Sequence, residues 1–470
     1  MVPTIAAVAG PYASGPPAEA LVVEIPSLEA RGLAEIWRSV IIYAAFIVHI
    51  TVALLVWLVH RRGLSWQTAV SHGAVHAFEF LGPTFVKIGQ LIASSPGLFP
   101  RPLADACLRC LDDVPHFSAK QVHKILAADL GRPTSELFAE FDDEPLSAAS
   151  IAQVHACVLH DGREAVLKVQ RPDIRNRMTV DLRIAYRLAR ILERHFAVFV
   201  IANATGVIED LHANTFAELN SALEAHRQER FRESIGAFGD NKWVTAPAVY
   251  WDYCGPRVIC MERMHGIPLD DFEGLRNSGA DGELTLRRAV KAWIEAIAVH
   301  GPFHGDVHAG NIWLLDDGRI AFLDFGIVGE LTAPWRAFLR DIFYSTTVKE
   351  DYAAIARDLR ELGVLTTEPS DDEHVAAALQ LLVGPTINSD LSQLGLGQII
   401  KSVVQLGREH SGTNPPEMML AAKQLAYFER YAKELAPNWV LGKDLFLLRN
   451  VFPEEVARRA AELDCLLPAD

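Results

Sequence analysis

The sequence predicts an α+β chain of two lobes behind a helical extension, and three observations carry that expectation. Half of its 470 residues are hydrophobic and 22% are charged, the balance of a folded chain long enough for two or three compact bodies. Clear strand signals are confined to short stretches, chiefly near residues 153–170 and 312–323. Helical periodicity dominates before the first stretch, and from Leu284 to the C-terminus apart from the second.

In chain order, Met1 to Glu29 is rich in Pro, Ala and Gly without the basic start of a signal peptide, so residues 1–38 read as a disordered tail. Residues 39–62 follow as a hydrophobic, membrane-associated helix. Val40 to Val59 contains no formal charge, and Trp37, Tyr43 and Trp57 stand near its ends, a length and flanking pattern that suit a bilayer. His60, Arg61 and Arg62 come next, whereas residues 1–38 hold four Glu and two Arg, so a crossing helix would leave the C-terminal bulk on the cytoplasmic face of the membrane. His49 and Thr51 interrupt the run, and a helix lying on the membrane stays open.

Residues 63–145 form the helical extension. Pro83 suits the first turn of a helix, and Phe85, Ile88 and Ile92 share one face of it. Lys87 and Gln90 on the same segment read, taken alone, as a solvated face with a snorkelling lysine. Ser118 is placed to cap a helix through Leu130, closed by Gly131 and Pro133. Cys107 and Cys110 make a CxxC with no second pair or nearby His, hence two thiols a turn apart on a helix and not a zinc site. Six cysteines in so long a chain make no disulfide framework and suit a reducing compartment.

At Ala148 the pattern turns to strands, and residues 146–264 read as the smaller lobe. Gln153–Leu159 and Glu164–Gln170 form a hairpin around Asp161 and Gly162, with Lys168 on its second strand. A phosphate-binding lysine lies at the corresponding place in kinases, one strand after the loop that covers the nucleotide. Here that loop is Ser147, Ala148, Ala149, Ser150, Ile151 and Ala152, mostly small but less flexible than glycine. A further hairpin is expected over Tyr250–Glu262, and the backbone of Glu262 to Met264 reads as the hinge that meets adenine.

Residues 265–470 read as the larger, mostly helical lobe, and within it Phe303 to Gly326 carries the chemistry. Asp306 is followed five residues later by Asn311 and thirteen residues beyond that by Asp324, Phe325 and Gly326. Transfer of a phosphoryl group needs its spreading negative charge neutralised by Mg2+ on hard oxygen ligands, which Asn311 and Asp324 supply, while Asp306 orients or deprotonates the acceptor. Asp316, Asp317 and Gly318 suit the tight turn of a hairpin, Ile312–Leu315 with Arg319–Leu323, that brings the two ligands together.

Several motifs together resemble the UbiB-like, or AarF, atypical kinase family of bacterial type. They are KxGQ at Lys87 to Gln90, the alanine-rich loop with QVH at Gln153 to His155, VQRP at Val169 to Pro172, and the HxDxHxGN and DFG elements. The resemblance implies a bilobal protein-kinase-like fold. It also implies ATP against Ala148, Ala149, Ser150, Ile151, Ala152, Gln153, Val154, Lys168, Glu262 and Met264, with Mg2+ on Asn311 and Asp324. Lys168 would pair with Glu224 on the equivalent of the kinase αC helix. Lys87, Gln90 and Glu218 would be regulatory, occupying the groove where a peptide substrate would otherwise bind. Asn220 replaces the family's Asp two residues after Glu218, which implies a weaker hold on Lys87. Gly305 stands where Ala is frequent, Val307 and Ala309 where Pro is frequent, and Arg227 where Asn is frequent.

The net charge is −15 with no long basic run, which excludes nucleic acid as an expected partner. The expected activity is Mg-dependent ATP binding with phosphoryl transfer or hydrolysis. The resemblance adds a role toward a membrane lipid or quinone-pathway small molecule, with membrane enzymes as further partners. A nucleotide-binding scaffold, a small-molecule phosphotransferase and a protein kinase remain alternatives. The phosphate acceptor and the oligomeric state have no signature in the sequence.

Overall fold

The computed structural model describes residues 9–60, 65–93, 99–111, 116–196, 199–200, 203–349, 351–364, 372–388 and 416–468. The chain divides into two compact units, Met1–Leu223 with Tyr250–Arg263, and Glu224–Val249 with Met264–Asp470. The extension and the small-lobe sheet therefore share one unit, and 224–249, expected with the small lobe, belongs to the second.

The first unit opens with α1 (Leu33–His60) and α2 (Trp66–Leu81). The Ser65 hydroxyl accepts from the Thr68 amide at 3.1 Å to start α2, and Gly82 at φ +94° ends it. A Cβ at Gly73 would stand 2.8 Å from Ile50 Cα, so this glycine lets α2 lie against the α1 backbone. Pro83 opens α3 (Pro83–Ala93), as its position predicts, and α4 (Arg101–Cys107) follows. Ile42, Ala45, Val75, Phe78, Leu81, Phe85, Val86 and Ile92 close a core with the buried Cys107 and Cys110. A Cβ at Gly89 would lie 2.5 Å from Cys110 Sγ, which is why the third residue of KxGQ has no side chain. The CxxC lies where α4 tightens directly into a 3-10 turn over 108–111, so helical backbone carries both thiols as expected. Both thiols are free.

Helices α5 (Ala119–Leu130) and α6 (Thr134–Leu137) lead into the sheet. Gly131 closes α5 in the left-handed region as expected, but the Ser118 hydroxyl turns to Gln121 Oε1 at 3.3 Å and makes no cap bond to the backbone. The antiparallel sheet runs β1 (Glu140–Ala148), β2 (Ala152–Val158), β3 (Glu164–Gln170) and β5 (Val258–Glu262). β3 matches the expected bounds and β2 falls one residue early. β1 departs from the sequence reading, because its acidic, exposed run with Pro145 lacks the apolar alternation of a strand and pairs through bulges. The expected Tyr250–Glu262 hairpin keeps β5, the Gly255–Val258 bridge and the Tyr250 N to Cys260 O bond at 2.9 Å, but its first arm is interrupted, since Trp251–Tyr253 takes a helical turn and Pro256 lacks an amide donor.

The long α7 (Ile174–His195) and α8 (Ala204–Glu218) complete the first unit. Residues 9–32, expected to be disordered, are laid along it. Gly10 donates to Asp252 O at 2.8 Å, while Arg175 and Arg183 of α7 donate to Glu24 O at 2.7 Å and Ser27 O at 2.8 Å. Proline and glycine keep this segment irregular, and the α7 arginines satisfy the carbonyls that irregular backbone leaves open.

Helix α9 (Ser221–Gly236) passes from the first unit into the second. There the sheet order is β4 (Val244–Thr245), β9 (Ile320–Phe322), β8 (Ile312–Leu315) and β6 (Gly266–Pro268), and β7 (Pro302–His304) pairs with β10 (Val328–Glu330). β9 is shorter than expected because Arg319 belongs to the turn, its amide and Nε bonding Asp317 at 3.0 and 2.7 Å. Around the sheets stand α10 (Phe272–Ser278), α11 (Gly282–Glu295), α12 (Ala333–Phe343), α13 (Tyr352–Glu361), α14 (Asp372–Asn388), α15 (Pro416–Leu435) and α16 (Pro453–Glu462). Trp293, Phe303, Phe322, Phe428, Tyr431 and Phe446 anchor one continuous core beneath the β7–β8 loop.

Candidate functional site

In the second unit, β7 ends at His304, and this ring organises the loop that follows. Burial pushes its pKa down, so the ring is neutral. Nε2–H donates to Leu323 O at 2.8 Å, and Nδ1 accepts from the Asp306 amide at 3.2 Å. Trp293 Nε1 donates to His304 O at 3.0 Å. Further along, Val307 N donates to Gln424 Oε1 at 2.9 Å, and the Tyr431 hydroxyl donates to Val307 O at 3.0 Å. His304, Gln424 and Tyr431 thus hold the loop from behind. The first could be read from its place two residues before Asp306, whereas the other two lie more than a hundred residues away with no motif to mark them.

Packing around Gly305 is tight. A Cβ there would lie 2.9 Å from both Ile327 Cγ2 and Leu420 Cδ2 and 3.1 Å from Ile327 O. Leu420 belongs to α15, so the departure from Ala reflects how closely α15 approaches, and the loop chemistry is untouched.

Asp306 leaves its carboxylate partly open, with His308 Nε2 3.8 Å away. Asn311 is buried, and its Nδ2 donates to Asp306 O at 2.9 Å, which turns Oδ1 away as a free acceptor. The register Ile312 to Phe322, extended by Leu323 N to Asn311 O at 2.8 Å, sets Asp324 beside Asn311 at the mouth of the hairpin. Asp324 has φ +58°, the left-handed region that Asp tolerates better than most side chains, and its Oδ1 accepts from Gly326 N at 3.2 Å. The structure thus brings Asp306, Asn311 and Asp324 together. One amide oxygen and one carboxylate are a donor set suited to Mg2+, which prefers a few protein oxygens completed by phosphates and water. Among the described residues, no group of three or more His, Cys, Asp or Glu forms a metal cage by itself.

Behind Asp324, Phe325 is buried, its ring centroid 5.1 Å from that of Phe231 on α9 and 4.9 Å from that of His304. Arg227, one of the departures noted above, reaches Gly326 O at 3.4 Å, and burial lowers its pKa. Glu224 sits buried in the first turn of the same helix, so α9 carries Glu224 and is fastened to the Asp324 loop through Arg227 and Phe231.

The remaining residues expected at the site stand in the first unit. Lys168 is half-buried in the middle of β3, opposite Val154 and Ile259. The alanine loop is a closed turn: Ala149 N donates to Ala152 O at 2.8 Å, and the Arg171 guanidinium clamps Ala149 O with bonds of 3.0 and 2.9 Å. Ala148 ends β1 against Gln153 of β2, and Ser150 is buried. Two side chains expected to touch nucleotide are engaged elsewhere. Ile151 packs into the core with Met178, Leu182 and Phe216. Gln153 is buried with Oε1 accepting from Phe117 N at 2.9 Å and Nε2 donating to His155 Nε2 at 2.7 Å, so it tethers the chain before α5 to the sheet. Glu262 ends β5, and Met264 opens the second unit, so the unit boundary falls within the expected hinge.

Lys87 Nζ bonds both oxygens of Glu218, at 2.7 and 2.6 Å, with both side chains largely buried. The pair is bidentate without a second acid. Asn220 turns away from it: its Oδ1 accepts from Leu223 N at 2.9 Å and caps α9, while its Nδ2 reaches Val22 O at 3.3 Å. Lys87 is therefore held by Glu218 alone. Gln90 does not join the pair, and its Nε2 donates to Cys110 O at 2.9 Å.

Residues 109–359 match the ABC1 atypical kinase-like domain and residues 379–440 the UbiB helical domain. An uncharacterized protein of Mycobacterium tuberculosis is 37% identical over 384 residues, covering 82% of this chain and 78% of its own. A chloroplastic aarF domain-containing protein kinase of Arabidopsis thaliana, also uncharacterized, is 33% identical over 386 residues, or 77% and 71% of the two chains. A probable protein kinase UbiB of Pseudomonas putida is 31% identical over 426 residues, or 87% and 78%. With more than half its length in one domain match and relatives at this identity over most of both chains, this chain belongs to the ABC1 atypical kinase-like family.

Proposed function

We propose that this protein binds ATP with Mg2+ and transfers or hydrolyses its terminal phosphate, in support of isoprenoid quinone or membrane lipid metabolism at the cytoplasmic face of a membrane. The observation that carries the reading is the β8–β9 hairpin, whose register sets Asn311 and Asp324 at its open end while the Asn311 amide holds Asp306 O at 2.9 Å. Bound there, Mg2+ would neutralise charge on the phosphate oxygens. Asn311 and Asp324 would hold it, and Asp306, partly open to solvent, would orient the acceptor hydroxyl or water and take its proton. In the first unit, Lys168 has the charge to bind phosphate as a cation, and the alanine loop could do so through backbone amides.

The quinone and lipid setting rests on relatives described as UbiB kinases and on one helix, Leu33–Val59, long and apolar enough for a membrane. The closed Lys87–Glu218 pair favours a small acceptor over a peptide, because it keeps the KxGQ helix in place. ATP turnover measured with and without lipid vesicles, across quinone precursors and common lipids, tests this reading. Turnover that a lipid or precursor stimulates and Asp306→Asn removes is the expected result. Mg-ATP binding with no turnover under any of these conditions would overturn it in favour of a nucleotide-binding scaffold.

A further inference from the structure

Helix α1 offers an apolar surface that the site does not use. Twenty-one residues from Ser39 to Val59 carry no charge, and at about 1.5 Å per residue they extend roughly 30 Å. Val40, Tyr43, Ile47, Val48, Val52 and Leu55 are exposed on the outer half of the helix. The inner half is covered: Ile42 and Ala45 join the core built with α2 and α3, the Phe46 ring centroid lies 5.8 Å from that of Phe78, and Gly73 meets the α1 backbone. Helix α2 in turn rests on α3 and α4 through Val75, Phe78 and Leu81. Helix α1 therefore lies along the body of the first unit and does not project from it.

Both ends of α1 return to that body. At its start Glu35 pairs with Arg187 and Arg183 of α7, and Arg38 bonds Asp181 at 2.6 Å and Leu81 O at 2.8 Å. The segment before it is held at Asp252, Arg175 and Arg183, and the segment after it runs back as α2. A helix crossing a bilayer would separate these two flanks by the membrane.

We propose that α1 is a monotopic anchor: its outer face lies in the plane of a lipid surface, and both flanking segments stay on the same side as the body. Three features favour lipid over a protein partner. Apart from Thr51 and Tyr43, every exposed side chain over the uncharged length is apolar, whereas protein interfaces carry a polar rim. Trp37 and Tyr43 are exposed near one end, where interfacial aromatics sit. Three arginines besides the Asp181-paired Arg38, namely Arg31, Arg61 and Arg62, flank the helix in a chain of net −15, which complements anionic headgroups.

The full-length protein is tested by flotation with phosphatidylethanolamine–phosphatidylglycerol vesicles, and by labelling in sealed membrane vesicles of both orientations with an impermeant maleimide. The labelled positions are Ser14→Cys in a Cys465→Ser background and, separately, the exposed native Cys465. Both cysteines are expected to react from the same side, and Val52→Glu with Leu55→Glu is expected to reduce flotation by about tenfold or more. A tail cysteine reacting only from the side opposite Cys465 would overturn the proposal. So would undiminished flotation of the double variant, or a lipid-free dimer that cross-links through Val52→Cys and does not float. None of these readouts involves nucleotide, so they succeed or fail independently of the ATP reading, and an unchanged thermal melt of the double variant shows that its fold survives.

Discussion

Asp324 combines two demands at one residue: a left-handed backbone and a carboxylate beside Asn311. Asn tolerates that backbone at least as well, so Asp324→Asn removes the charge while keeping the turn. Gly305 makes the opposite kind of prediction. Gly305→Ala forces its Cβ against Ile327 and Leu420 and is expected to cost about 1–3 kcal/mol of stability in a denaturant titration. His155 ties the sheet to solution pH. Its Nδ1–H donates to Asp142 O at 2.9 Å and its Nε2 accepts from Gln153, an arrangement only the neutral ring can make, and burial lowers its pKa. His212, His300 and His304 are lowered for the same reason. The unfolded chain takes up these protons near the ordinary value of about 6.5 while the folded chain does not, so stability is full above that pH and falls as pH drops below it. Unfolding midpoints compared at neutral pH and about one unit below 6.5 check this. A midpoint unchanged across that window would contradict it.

Among the elements, those whose signal is local were legible in the sequence. Pro83 announces α3, Gly131 ends α5, and Asp317–Gly318 sets the β8–β9 turn because turn chemistry resides in the turn residues themselves. β1 was not legible, because an acidic, exposed strand obtains its register from β2 and not from its own pattern. The roles of Gln153 and Ile151 were obscured for a related reason: motif position marks them as part of the loop, but only packing shows that their side chains face inward. Lys87 could be singled out only through the resemblance, and its partner only through the fold. With both side chains mostly buried, Lys87→Ala leaves the Glu218 charge unpaired and is expected to destabilise the protein by about 3 kcal/mol. In a double-mutant cycle, Glu218→Ala should recover part of that loss. Independent, additive losses would show that the pair does not couple α3 to α8.

For the whole molecule, the division into two units falls at Arg263–Met264, where the sequence suggests a hinge, at Val249–Tyr250, and at Leu223–Glu224, inside a helix where no composition change marks it. The tail is the largest difference from the sequence reading. Its composition signals irregular backbone, but whether an irregular segment docks depends on partners such as the arginines of α7, which are far away in sequence. Removing residues 1–31 is accordingly expected to lower the melting temperature, and a truncated protein melting with the full chain would contradict the docking of 9–31. The central claim is that Asp306, Asn311 and Asp324 form a metal–nucleotide site, and titration of Mn2+ with ATP into the protein, followed by electron paramagnetic resonance, tests it most directly. Wild type is expected to show saturable, ATP-dependent Mn2+ binding that Asp324→Asn abolishes with its fold intact. Equal Mn2+ binding by the two proteins would contradict the account.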